Sequence, residues 1–360
     1  MKRTELNNSF LSLIRLGIGH KIGTFPKIVD WPGIQALAEK QGLYAIVLDG
    51  IENLPKSSRP PQETLLEWIG EVLQGYEYQY EQYCKAIARL ARFYNSHGYK
   101  MMILKGYACS LDWPKPLHRP CGDIDIWQFG KQKEADAALA KEKGVVIDSN
   151  HHHHTVFNVG EFTVENHYDF INVYAHRSSA KLEKVFKELG QDETHFVEIY
   201  GEEVYLPSPN LHTLFLIKHM ASHFAAAEIT LRQVLDWAFF VKKHTKEVDW
   251  KWLITQLEVF HLKEFFDLIN AICVEDLGFV FNINQNYSFD PMLKDRVLMD
   301  ILAPEYIAAE PKGLIRRLAY KLQRWQGNAW KQRLCYDENR MLTFFWGLWS
   351  HIKKPETRID

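Results

Sequence analysis

The run Gly122-Asp123-Ile124-Asp125-Ile126 constrains the fold more than any other part of the chain. Its polar and apolar residues alternate, which is the pattern of a half-buried strand. Residues two apart in a strand point to the same face. Asp123 and Asp125 therefore set two carboxylates side by side, with Ile124 and Ile126 buried behind them. Such a strand needs partners, and the neighbouring sequence supplies them. Lys100-Met-Met-Ile-Leu104 is a short apolar run that ends at Lys105-Gly106. Thr155 to Val159, a turn at Gly160, and Phe162 to Ile171 read as a hairpin. Lys131 to Lys143, rich in Ala, Glu and Lys, reads as a helix between them.

On either side the texture is helical. Leu65 to Tyr94 is a long run with few breakers, and Pro55, Pro60 and Pro61 mark a loop before it. Leu206-Pro-Ser-Pro-Asn210 opens a second helical stretch, with Ser208 or Asn210 as its N-cap. Val29-Asp30-Trp31 is echoed by Val248-Asp249-Trp250. An Asp before a bulky first-turn residue is a helix start, here used twice rather than a repeat. The expected architecture is α+β: a small mixed β-sheet core at residues 99–206, a helical region at 1–98 and a helical domain at 207–360.

Composition narrows the function. With 46% hydrophobic and 24% charged residues over 360 positions, the chain is globular rather than disordered. Forty-three basic residues against 45 acidic ones give a net charge of -2, which disfavours a coat for long nucleic acid. Cys84, Cys109, Cys121, Cys273 and Cys335 form no C-x-x-C pair, which fits a reducing compartment. Arg15 and polar residues interrupt the early apolar stretch, and the apolar run Met341 to Trp349 is too short to span a bilayer. A cytoplasmic protein without a membrane span is expected.

Two carboxylates that close repel unless a cation lies between them or one is protonated. Hard divalent metals bind such oxygens, often together with substrate phosphates; a solvated acidic edge strand is the plainer alternative. At Lys105-Gly106 a glycine lets backbone amides approach a phosphate. In Phe162 to Phe170, a regular strand would place Thr163, Glu165, His167 and Asp169 on one face. A third carboxylate there suits a two-metal phosphoryl site, as ligand or as base.

Leu104-Lys-Gly106, Arg119-Pro-Cys-Gly-Asp-Ile-Asp125 and Val164-Glu-Asn-His167 together resemble a nucleotidyltransferase family of the DNA polymerase β superfamily. The resemblance extends over most of the chain. It implies that Asp123, Asp125 and Glu165 hold Mg²⁺ or Mn²⁺, and that Glu165 can serve as base. It also implies that Lys105, Gly106, Arg119 and Gly122 lie near the phosphates of a nucleoside triphosphate. The reaction implied is transfer of a nucleoside monophosphate to a hydroxyl of a small molecule or protein, with pyrophosphate leaving. His167, Asp169, His219, His223, Arg232 and Asp236 are implied to shape the acceptor or nucleotide pocket, with Lys218 in reach of phosphate. Lys105-Gly106 stands where the superfamily more usually has Gly-Gly or Gly-Ser, and Asn166 stands where an apolar residue is usual.

Other readings remain at this stage. Arg119 can be a structural partner of a nearby Asp, and Arg232 and Asp236, four apart, can form a surface ion pair. His151-His-His-His154 reads as an exposed loop, because successive strand residues alternate in direction and four rings cannot readily ligate one ion. Residues 311 to 360 carry 11 basic and four acidic residues interleaved with Trp325, Trp330, Trp346 and Trp349. This tail is read as a helical pair with a basic rim, the alternatives being a nucleic-acid-binding surface or one that lies on an anionic membrane. A catalytically silent nucleotide-binding module on the same fold is the remaining alternative.

Overall fold

Six short strands pair into one mixed sheet: β1 (Met102–Ile103), β2 (Ile124–Trp127), β3 (His154–Val159), β4 (Phe162–His167), β5 (Phe196–Ile199) and β6 (Glu202–Tyr205). Their spatial order is β3-β4-β2-β1-β6-β5. The computed structural model describes residues 3–174, 176–283, 288–307 and 311–343. β2 runs antiparallel to β1 and parallel to β4. β1 runs parallel to β6. The two outer hairpins, β3–β4 and β5–β6, are antiparallel.

The alternation read from the sequence decides what each face buries. Ile103, Ile124, Ile126 and Val164 pack with Tyr83, Ile87, Leu90 and Tyr94 of the helix Gln79–Ser96 and with Leu139 of the helix Gln132–Lys143. Met102, Leu104, Trp127 and Tyr205 belong to the larger core formed with the remaining helices. Asp125 shares a face with Trp127, two residues on. The carboxylate thus opens toward the helices Pro209–Ala226 and Leu231–His244 rather than toward the first apolar layer.

β1 is shorter than expected, Asp123 falls just outside β2, and two larger differences appear. The second hairpin strand stops at His167 instead of reaching Ile171, because the N–H groups of Tyr168 and Asp169 both turn to the His153 carbonyl. The β5–β6 hairpin was not anticipated, although Tyr200 and Gly201, both at positive φ, make the two-residue turn that matches strand twist.

The long helical run is continuous from Gln62 to Ser96, with a π-helical stretch at Val72–Tyr78. The two echoed Asp residues are both N-caps: Asp30 accepts from Gly33 N–H and Asp249 from Trp252 N–H, each at 3.0 Å. Ser208 occupies the N-cap position of Pro209–Ala226 without a side-chain cap bond. Asn210 instead accepts from Asp249 N–H, tying two helix starts together.

Trp330 packs on Phe224 and under Arg296, and Trp325 lies under Arg340. Trp346 and Trp349, with most of the apolar run that contains them, lie outside the described residues. All five cysteines are free thiols. Among the described residues, no helix is long and apolar enough to cross a membrane.

Candidate active site

Strand register brings the acidic residues together. The parallel pairing of β2 with β4 sets Asp125 opposite Glu165 and Trp127 opposite His167. Asp123 lies just before β2, exposed at the cleft, while Asp125 is buried. The β1 end is held in the same place. Leu104 N–H donates to the Asp125 carbonyl, and the Tyr83 hydroxyl donates to the Asp123 carbonyl at 3.1 Å. Gly106, at φ 49°, passes so close that a Cβ there would lie 2.2 Å from that hydroxyl oxygen. Only glycine suits this turn.

Asp125 is densely partnered. Lys105 Nζ lies 2.6 Å and His167 Nε2 3.2 Å from its Oδ1. Burial alone would raise the Asp125 carboxyl, but Lys105 and His167 outweigh it and hold the group well below the usual range. His167 also stands 3.7 Å from Glu165 Oε2. Burial opposes charge on this imidazole, yet the two carboxylates push it up to about 9. For Glu165, burial acts upward, and the His167 hydrogen bond with Lys105 brings the net shift downward. Asp123 goes the other way: burial, then the charges of Glu165 and Asp125, raise it.

Asp123, Asp125 and Glu165 form one wall of a cleft of about 440 Å³. Lys105, Gly106 and Gly122 border it on the sheet side, and His219, His223 and Arg232 on the helical side. His219 and His223, one helical turn apart, have ring centroids 4.4 Å apart. Burial, reinforced by Lys105, holds His219 neutral.

The four-residue spacing of Arg232 and Asp236 does not produce an ion pair. Asp236 accepts from Arg119 Nε at 2.8 Å, Arg119 Nη2 at 2.9 Å and Trp113 Nε1 at 2.8 Å. Arg119 is consequently a structural partner. Its guanidinium reaches the cleft wall already engaged by Asp236. Arg232 makes no ion pair among the described residues, and its buried Nε has no hydrogen-bond partner. Burial, then the nearby Arg119 charge, lowers its pKa. Among the described residues lining the cleft, it is a cation with no ion-pair partner.

A family model of uncharacterised nucleotidyltransferases matches residues 27–278. The chain belongs to that family. A crystal structure of an antigenic nucleotidyltransferase-like protein from Paracoccidioides brasiliensis is similar over 56% of this chain and 94% of its own, at 15% identity and a TM-score of 0.37. Among curated proteins, no match was found.

In this family member, three further expected residues lie outside the cleft lining. Asp169 lies beyond the end of β4, outside the cleft lining, and pairs with Lys187. His167 does not line the cleft but backs the carboxylates from within. Lys218 points away: it is buried, donates to the Tyr336 hydroxyl and lies 4.2 Å over that ring. Asn166 is accommodated rather than mismatched, because its amide donates to Gln128 at 2.9 Å and Asp136 at 2.7 Å.

The histidine run is not an exposed loop. His152 and His154 are buried, and His153 and His154 crowd against His167. Thr230 and Gln233, also in the cleft wall, make half of a capping box at the start of Leu231–His244, the Thr230 N–H donating to Gln233 Oε1 at 2.9 Å. Thr-x-x-Gln before an apolar run carries that signal in the sequence.

Proposed function

We propose that the chain transfers a nucleoside monophosphate from a nucleoside triphosphate to a hydroxyl of a small molecule or a protein side chain, releasing pyrophosphate. The observation that carries this reading is the in-register pair Asp125–Glu165, with Asp123 beside it, facing Arg232 across one cleft. The donor set fits a hard divalent cation: one oxygen each from Asp125 and Glu165 lies within 4.8 Å of the other. Asp123 at the same cleft is raised by burial and then by their charges, which a cation would offset. Asp123, Asp125 and Glu165 would hold Mg²⁺ or Mn²⁺, which when bound supplies positive charge at the attacking and leaving oxygens.

The chain's own groups account for the rest. Arg232 and Lys105 supply cationic contacts for the phosphates, and the Gly106 turn lets the triphosphate approach the backbone. Glu165 accepts the proton of the acceptor hydroxyl as its oxygen bonds to the α-phosphorus and the bond to pyrophosphate breaks. His167, held between Asp125 and Glu165, fixes the orientation of that base.

The test is an incubation of the full chain with each α-labelled triphosphate, Mg²⁺ or Mn²⁺, and cell extract. Label on an acceptor with matching pyrophosphate supports transfer. One observation favours a second reading, a nucleotide-binding module without turnover: Lys105 and His167 already neutralise Asp125. Saturable triphosphate binding without pyrophosphate release would decide for it.

A further inference from the structure

We propose that His153, His154 and His167 form a transition-metal site of the Zn²⁺ class beside the acidic residues, with Glu165 as its fourth donor. It rests on the reading above only where Glu165 is also given a part in nucleotidyl transfer.

The β3–β4 register sets His154 directly opposite His167. His153 lies in the bend just before β3, so the alternation of a regular strand does not apply to it and its ring can join the same side. One nitrogen from each of the three rings lies within 4.8 Å of the others. Glu165 closes the group: Oε1 is 3.9 Å from His154 Nε2, and Oε2 is 3.7 Å from His167 Nε2. Tetrahedral zinc, at about 2.0–2.1 Å from each nitrogen, requires only a modest contraction of these separations.

An independent feature concerns orientation. His167 Nδ1 lies 3.2 Å from the Asp169 carbonyl, which can only accept, so this nitrogen donates. Without metal, Nε2 donates to Asp125 Oδ1 at 3.2 Å, and a bound metal would take the place of that proton, which leaves to solvent. A backbone carbonyl fixing the far nitrogen is how metal-binding imidazoles are commonly held. Three imidazoles and one carboxylate suit Zn²⁺ and its neighbours, whereas Mg²⁺ prefers oxygen. The site differs in donor chemistry from the one centred on Asp123 and Asp125, although Glu165 and His167 border both.

The experiment titrates metal-stripped full-length protein with Zn²⁺ by calorimetry and with Co²⁺ by visible absorption. The proposal expects one ion per chain, a tetrahedral Co²⁺ spectrum, and a raised melting temperature. His153→Gln and His154→Gln, made singly to spare the fold, should each weaken binding by at least about 10-fold, the lower end of what even an outer-shell change costs. Asp123→Asn should lose Mg²⁺-dependent triphosphate binding and keep Zn²⁺. Absence of stoichiometric Zn²⁺ binding in the wild type would overturn the site, as would unchanged affinity in both histidine variants. Triphosphate binding in the wild type, measured separately, would leave the transfer reading standing in either event.

Discussion

Asp236 accepts two hydrogen bonds from Arg119, at 2.8 and 2.9 Å, and both side chains are buried. The pair joins the segment before β2 to the helix Leu231–His244, so it fixes the width of the cleft between sheet and helices. Arg232, one helical turn before Asp236, is left free of that pair and directed to the cleft. One buried ion pair thus assigns two arginines to different work.

Breaking the pair should be costly. Asp236→Asn leaves the Arg119 charge buried with a weaker acceptor, and removing one partner of such a pair costs about 3–5 kcal/mol. Denaturant unfolding of this variant should show a loss of that order. Arg232→Gln should leave stability nearly unchanged and weaken triphosphate affinity. Equal destabilisation by the two substitutions would contradict the division of roles.

The paired aspartates should separate on stability. Asp123 is raised by partial burial at the cleft and then by its acidic neighbours, so Asp123→Asn should abolish transfer while the melting temperature holds or rises slightly without metal. Asp125→Asn should also abolish transfer, but it removes the anion shared by Lys105 and His167. That variant should melt lower than wild type in the absence of metal. Wild-type turnover in both would end the metal-site reading.

Glu165 and Asp169 provide a test of register. Glu165 is set opposite Asp125, whereas Asp169 follows the last paired residue and is held by Lys187. Glu165→Gln should slow single-turnover transfer by about 10²–10⁴-fold with triphosphate binding retained, and Asp169→Asn should leave the chemical step intact. The reverse result would show that the strand continues in the active protein.

What was legible in the sequence follows from which interactions are local. The strand with Asp123 and Asp125, the helix after it and the two Asp N-caps depend on neighbours within a few residues, and each emerged with small boundary shifts. Glu165 was legible because its partner His167 is two residues away. The end of β4 was not, because it is set by the His153 carbonyl, which only the folded hairpin presents. The Arg119–Asp236 pair spans 117 positions, and the four-residue spacing of Arg232 and Asp236 offered a false local partner. The histidine run was misread for a related reason. Period-two alternation governs a strand, but His153 lies in a bend outside it.

The last prediction concerns pH. His212 is 4% exposed in the helix Pro209–Ala226, edge-on to Phe240 and 3.6 Å from Cys109 Sγ. Burial dominates its ionisation and lowers it from 6.5 to about 4. The unfolded chain therefore takes up a proton at this ring first as pH falls. Folding free energy from this group is full above pH 6.5 and drains away down to about pH 4, by up to roughly 3 kcal/mol at 1.36 kcal/mol per pH unit. His212→Phe removes the titrating ring. Its stability difference from wild type should shift in favour of the variant between pH 6.5 and 4, whatever its offset at neutral pH. Paired urea titrations across that window check the slope, and parallel curves for the two proteins would show that His212 is already protonated, or accessible, in the folded state.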